Sequence, residues 1–464
     1  MKRYFTQVLC LLAITVPSQA QLLGRDVIPI DNFEPFFLPI DRPKFDIDPQ
    51  LQKSIKAEST KAINSQQVTG VDALLDEIPD ANERVKNLAE IEVFDGNNNP
   101  ALTEIQLQHG WRALKQEWLL LLTANQMLQL QSLPVSIISE IDFPQLQMFT
   151  VRISVAERYD DVAALTKLLA PLGTDILERH HVYDVQTPAP PLQSVPESGQ
   201  AVLDQTISNQ IIPKVDQYKK IIVGVIDTAF DDQHEALKRA NIQTKSFVMQ
   251  NMTQPTAHAT AVLGRWVGDG EAITPMLPGA SVYAASVFYQ KDAYSQSAST
   301  IALLQALEWM LVKRVTVINM SLAGPPNALL EKALQRVRSE GIAVVAAAGN
   351  AGPASRPLFP AAYDSVIAVS AVDQKQRIYR WANRGNHIDF VAYGVNVTTL
   401  RAGGGEGTES GTSMAAPVIS AALALQMQTK GLAESLTRLR QLSTDLGEAG
   451  RDVIYGDGFI DQPD

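Results

Sequence analysis

From residue 221 to 371 the chain alternates short apolar runs with longer segments of helical spacing. The runs Ile221–Asp227, Ser281–Phe288, Val315–Met320, Ile342–Ala347 and Ser365–Ala371 are rich in Val, Ile and Ala. Helical segments fall between most of them, near His258–Val267, Ser299–Val312 and Asn327–Glu340. A strand apolar on both faces has no solvent side, whereas a half-exposed antiparallel strand would alternate polar and apolar residues. The pattern therefore predicts an α/β fold, a parallel sheet covered by helices on both faces. In such sheets functional groups gather at the carboxyl ends of the strands, where Asp227 stands.

A second constraint lies downstream. Residues 409–417 read Glu-Ser-Gly-Thr-Ser-Met-Ala-Ala-Pro, and the apolar run Val418–Leu425 follows. Ser413 is expected at or near a helix N-terminus, where unpaired N–H groups and the positive dipole end favour a developing negative charge. Gly411 lets the turn tighten, and Ala415 and Ala416 let the helix lie close to what is beneath it. Pro417 is expected in the first helical turn, where its missing N–H costs nothing. By itself a serine after Gly-Thr is an ordinary N-cap.

Two upstream stretches change that reading. Val223–Leu237 (Val-Gly-Val-Ile-Asp-Thr-Ala-Phe-Asp-Asp-Gln-His-Glu-Ala-Leu) carries Asp227, and His258–Gly264 (His-Ala-Thr-Ala-Val-Leu-Gly) opens on a histidine. Seen alone, Asp227 is a cap or turn residue and His258 a structural histidine, although imidazole titrates near about 6.5 and suits proton transfer at neutral pH. Together with Gly411–Pro417 the three stretches resemble, in order, the aspartate, histidine and serine motifs of the subtilases, the subtilisin-like serine proteases. That order differs from those of chymotrypsin and the α/β-hydrolases.

The resemblance covers residues 213–464 and implies a subtilisin-like catalytic domain. It makes Asp227, His258 and Ser413 a triad in which the carboxylate orients the imidazole and the imidazole takes the serine proton. It makes Asn350, otherwise a turn asparagine, an oxyanion donor beside the Ser413 backbone N–H. Asn319–Pro325 resembles the family's substrate strand, so Ser321, Leu322 and Ala323 would bind an extended polypeptide by strand addition. Residues 450–458 resemble the family's closing segment, and the domain is expected to be complete. Ala229, Ala259 and Ala323 stand where the family commonly has glycine; each adds one methyl and removes no catalytic group. The resemblance implies no cofactor for catalysis and allows structural calcium, with the metal ligands unknown. His234 reads as packing, and no motif surrounds His109, His180, His181 or His387.

The first half is organised differently. Residues 1–20 begin Met-Lys-Arg, continue through an apolar run from Val8 to Val16 and end Ser-Gln-Ala, the pattern of a signal peptide cut after Ala20. Residues 21–50 form a Pro-rich arm, and 50–90 are weakly helical. A hairpin is expected from Ile91–Asp95 and Thr103–Gln108 across an Asn-rich turn, so 21–116 is taken as arm and hairpin. Residues 117–187 then show strand, helix, two strands, helix and strand, a small ferredoxin-like α+β arrangement. Subtilase propeptides are similar, which implies a domain that aids folding and then inhibits. Its alternative is a permanent accessory domain. A Pro-rich linker, 188–212, follows, and self-cleavage is expected in or near it.

The net charge of −11 and the lack of basic patches argue against nucleic acid. Cys10, the only cysteine, lies in the leader, so the exported protein would carry no disulfide. The absence of a membrane span after the leader, or of a later anchor, points to the periplasm or the medium. The leading function is an exported serine endopeptidase made as a precursor. An inactive subtilase-like binding or scaffold protein is the alternative, and an esterase using the same triad is a weaker third.

Overall fold

The computed structural model describes residues 89–185, 215–292 and 295–463. The expected leader, the arm, the weakly helical stretch as far as residue 88, the linker and Cys10 lie outside the described residues.

The hairpin forms between β1 (Glu90–Phe94) and β2 (Pro100–Gln106). Asp95 closes its turn by accepting from the N–H groups of Asn97 and Asn99 at 2.9 and 2.8 Å. Then come β3 (Arg112–Leu121), α1 (Ala124–Leu130), β4 (Ser136–Phe143), β5 (Met148–Ser154), α2 (Val162–Leu169) and β6 (Ile176–Val185). Their antiparallel order β4-β5-β3-β6 is ferredoxin-like. Thr123 and Gln126 cap α1 reciprocally, and the Asp161 carboxylate caps α2. Trp118, Leu120, Leu130, Val151, Leu165 and Leu169 fill the space between sheet and helices. Strand β3 starts earlier than the apolar residues suggest. Its first residues pair with β2, so one strand serves both hairpin and domain. The Arg112–Glu104 ion pair, 3.0 Å and buried, holds that extension, which hydrophobic periodicity does not reveal.

The second half contains the expected parallel sheet, with seven strands. In chain order they are β7 (Ile222–Asp227), β8 (Asn241–Ser246), β9 (Ser281–Ser286), β12 (Val317–Met320), β14 (Ala343–Ala347), β15 (Ile367–Val372) and β16 (Ile388–Tyr393). The spatial order is β16-β15-β14-β12-β7-β9-β8, with every pairing parallel. Helices α3 (Ala257–Val267), α6 (Thr412–Gln426) and α7 (Leu432–Leu442) pack into the core on one face. Helices α4 (Thr300–Lys313) and α5 (Ala328–Ser339) pack on the other. A separate hairpin joins β17 (Val397–Leu400) to β18 (Glu406–Glu409). Among the described residues no helix is long and apolar enough to cross a membrane.

Two departures from the sequence expectation shape the site. The run 281–288 is not one strand. β9 ends at Ser286, and Phe288–Gln290 becomes β10, paired antiparallel with β11 (Gln296–Ser299). The second departure is β8, an edge strand that exposes most of its residues and so lacks an apolar run.

The ferredoxin-like sheet reaches into the second half. Val182, Tyr183 and Asp184 of β6 pair antiparallel with β11, and Asp184 and Val185 pair with Ala323 and Leu322 of β13 (Leu322–Ala323). Its outer face buries Leu119, Phe143 and Met148 in one cluster with Leu304 and Leu330 of α4 and α5. Polar contacts fasten the junction. Glu308 of α4 accepts from the N–H groups of Gln145 and Leu146 at 2.9–3.1 Å, and Glu178 accepts from the N–H of Ala328 at 2.9 Å.

Candidate active site

Asp227 is the last residue of β7 and is almost fully buried. Both carboxylate oxygens face Nδ1 of His258, at 2.7 and 2.9 Å, and one also accepts from the N–H of Thr228 at 2.6 Å. With Nδ1–H committed to the carboxylate, the neutral ring keeps its lone pair on Nε2. Among the described residues that Nε2 is buried without a hydrogen-bond partner. Thr228, which the sequence reading passed over, positions the helix: its hydroxyl accepts from the N–H of Ala259, one residue past His258, at 2.9 Å. The methyl of Ala259 therefore does not disturb the Asp227–His258 pair.

Ser413 is the second residue of α6 and is buried. The first N–H groups of a helix have no acceptor four residues earlier within it, and here the Met414 N–H donates to the Gly411 carbonyl at 3.0 Å instead. Gly411 precedes the helix at φ 153°, a conformation that favours glycine, and a methyl there would stand 3.0 Å from Nδ2 of Asn350. The Oδ1 of Asn350 accepts from both the N–H and the hydroxyl of Thr412, each at 3.0 Å. That fixes the amide against the residue preceding Ser413.

Pro417 corrects the sequence expectation. Helix α6 begins at Thr412, so Pro417 lies inside it, beyond the first turn. It cannot donate to the carbonyl of Ser413, four residues earlier. The Ser321 hydroxyl instead donates to that carbonyl at 3.3 Å, and Ser321 accepts from Nδ2 of Asn319 at 2.9 Å. A missing backbone donor thus ties the serine turn to the start of the expected substrate strand. The indole of Trp266 draws α3 to α6 by donating to the Pro417 carbonyl at 2.9 Å.

Leu322 and Ala323, expected to bind peptide, are already in a ladder with Val185 and Asp184 of the same chain. Tyr183, fully buried, lies against Gly324, where a methyl would approach its ring to 2.4 Å. Beside this strand sits a polar cluster that the sequence reading missed. Glu104 of β2 meets Arg112 at 3.0 Å, the Tyr289 hydroxyl at 2.8 Å and Nζ of Lys291 at 3.4 Å. Lys291 also lies 3.4 Å from Asp184, which accepts from the Ser297 hydroxyl at 3.3 Å. Burial draws the Lys291 ammonium down, but the Asp184 and Glu104 carboxylates outweigh it and the net shift is upward. These residues are far apart in sequence and polar, so no spacing signals them.

The structure thus joins Asp227 to His258, Asn350 to the turn of Ser413, and Ser321 to Ser413. No hydrogen bond joins His258 to Ser413 among the described residues. His234 is structural: Nδ1 accepts from the N–H of Ala236 and Nε2–H donates to the Gly405 carbonyl. His180 and His181 are buried where β6 meets α4 and α5. Among the described residues no group of three or more His, Cys, Asp or Glu side chains could hold a metal ion, so no calcium site is assigned.

Comparison with known proteins agrees with this architecture. A family model described as Subtilase family matches residues 218–458. Subtilisin DY of Bacillus licheniformis is 33% identical over 249 residues, covering 51% of this chain and 88% of that protein. Minor extracellular protease Epr of Bacillus subtilis (strain 168) is 32% identical over 250 residues, 52% of this chain and 38% of its own length. The match to subtilisin E of the same organism spans 63% of that protein. Among solved structures, fervidolysin from Fervidobacterium pennivorans, a keratinolytic enzyme related to subtilisin, shares the fold with a TM-score of 0.62. That alignment is 18% identical and covers 81% of this chain and 62% of that one. With a family match over more than half of the sequence and a relative covered almost end to end, the chain belongs to the subtilase family.

Proposed function

We propose that this protein is an exported serine endopeptidase, made as a precursor whose N-terminal region occupies the substrate strand until self-cleavage. One observation carries the catalytic part: Asp227 fixes Nδ1 of His258 and leaves a buried Nε2, without a hydrogen-bond partner among the described residues, on a helix packed against the one that bears Ser413. In the reaction Nε2 takes the proton of the Ser413 hydroxyl as Oγ attacks the peptide carbonyl. The Asn350 amide and the Ser413 backbone N–H stabilise the resulting oxyanion. His258 then protonates the leaving amine, and water hydrolyses the acyl-enzyme by the same route in reverse. The His258–Ser413 hydrogen bond forms when substrate is bound, as catalytic hydrogen bonds often tighten only in the complex. No cofactor enters these steps.

The precursor reading is supported by the ladder between β6 and β13. A polypeptide substrate would add to Ser321, Leu322 and Ala323 in the same way. The register runs from Ala323 through Leu322 toward Ser321 and the nucleophile, which favours cleavage just downstream of Val185, at the upstream edge of the 188–212 linker. Export to the periplasm or medium rests on the leader pattern of residues 1–20. The domain division is likewise a proposal: leader 1–20, arm and hairpin 21–116, propeptide-like domain 117–187, linker 188–212 and catalytic domain 213–464.

A fluorophosphonate probe should label the wild type and spare Ser413→Ala, and unfolded protein should be degraded only by the wild type. The loss in kcat should be about six orders of magnitude, a figure known for subtilisin rather than calculated for this chain. N-terminal sequencing of the exported protein should find a start shortly after Val185. An unlabelled wild type would favour the inactive binding protein, and a start at Gln21 would remove the precursor.

A further inference from the structure

We propose that Lys291 and Ser297 form a subsite that selects an acidic side chain in the peptide substrate, at the residue paired with Ala323. The inference rests on the proteolytic reading above and adds a substrate class to it. The chain's own Asp184 shows the arrangement. Its backbone pairs with Ala323 on one side and Ser297 on the other, as a substrate strand would. Its Oδ1 lies 3.4 Å from Nζ of Lys291 and 3.3 Å from Oγ of Ser297.

Register places this position relative to the scissile bond. Val185 faces Leu322, and the next peptide residue would face Ser321, which touches the Ser413 turn. Counting that residue as the first before the cut, the residue facing Ala323 is the third.

Lys291 is 5% exposed, and its two carboxylate partners, Glu104 and Asp184, both lie upstream of the proposed cut. Departure of the N-terminal region removes both, together with Arg112, the other cation on Glu104. Lys291 and Ser297 stay with the catalytic half. A substrate carboxylate entering the vacated position restores the pairing, whereas a lysine there meets a like charge. Tyr289, whose hydroxyl donates to Glu104, lies on β10, which ends one residue before Lys291, and is buried beside it.

The test uses the processed enzyme and three fluorogenic peptides, identical except for Asp, Ala or Lys at the third residue before the cut. For the wild type, kcat/KM should fall from Asp through Ala to Lys, by about tenfold between the ends. Lys291→Glu should reverse the order, and Ser297→Ala should reduce the preference for Asp. The wild-type ratios stand without the variants if either fails to fold. Equal rates on the three peptides, or an unchanged order in Lys291→Glu, would overturn the subsite and leave the protease intact. No turnover of even the alanine peptide would overturn the proteolytic reading, and the subsite with it.

Discussion

The indole N–H of Trp266 donates to the carbonyl of Pro417 at 2.9 Å, joining the helix of His258 to the helix of Ser413 through a bond buried on both sides. The two residues lie far apart in the sequence, and the contact ties together the helices that carry His258 and Ser413. Trp266→Phe keeps an aromatic ring and removes the donor. We expect a loss of about 1–3 kcal/mol in stability, because a buried hydrogen bond is deleted. In urea titrations the midpoint should fall with an unchanged slope. Turnover should fall more than KM rises if the affected spacing is between the proposed catalytic groups. A wild-type midpoint and kcat would show that the bond sets neither.

Gly324 and Tyr183 form a second cross-chain pair. A methyl on Gly324 would stand 2.4 Å from Cδ1 of the buried ring, so Gly324→Ala should destabilise the full-length chain by about 1–3 kcal/mol through overpacking. In a Tyr183→Ala background the same substitution should cost much less. Thermal melts of the four proteins give the coupling directly. Additive effects would mean that the strand yields without strain.

The pH dependence of the full-length chain should reflect His181. Burial, followed by the charges of His180 and Arg179, lowers its pKa from 6.5 to about 4. The Asn327 amide lies 3.1 Å from its Nδ1 and can donate only to a neutral, unprotonated nitrogen. Between these two values the unfolded chain binds a proton that the folded chain does not, so stability is full above pH 6.5 and falls as pH drops toward 4. The loss is at most about 3 kcal/mol. Glu117, paired with Arg152 and His180, has a carboxyl held near 2 although burial opposes it, so its contribution is lost only in stronger acid. Melting temperature followed from neutral pH to pH 4 should fall less steeply in His181→Gln than in wild type. Parallel slopes would assign the acid sensitivity elsewhere.

Much of the fold of the second half was legible in advance because its signals are local. Val223, Val225 and Ile226 are apolar on both sides of a strand, and that alone requires helices above and below. The proposal of Asp227, His258, Asn350 and Ser413 as the reacting groups likewise rests on side-chain types and motif order. Pro417 shows where local reading fails. Its effect depends on where α6 begins, and that start is set by Gly411 and the Asn350–Thr412 bonds rather than by the apolar run. The single run 281–288 failed for a related reason: apolar character continues across Val287, while the hydrogen-bond partners change from one sheet to the other.

The sequence by itself determined the parallel core, the ferredoxin-like order before it and which side chains are proposed for acyl transfer. Each depends on periodicity or on side-chain chemistry within a few neighbouring residues. Tertiary structure alone decided what pairs with Leu322 and Ala323 and which charges lie beside them. Strand pairing between Val185 and Leu322, and the meeting of Glu104, Asp184 and Lys291, require segments far apart in the chain to come together in one sheet. Backbone hydrogen bonds carry no side-chain signature, and a buried charge is tolerated only where folding brings its partner, so neither could be read from spacing.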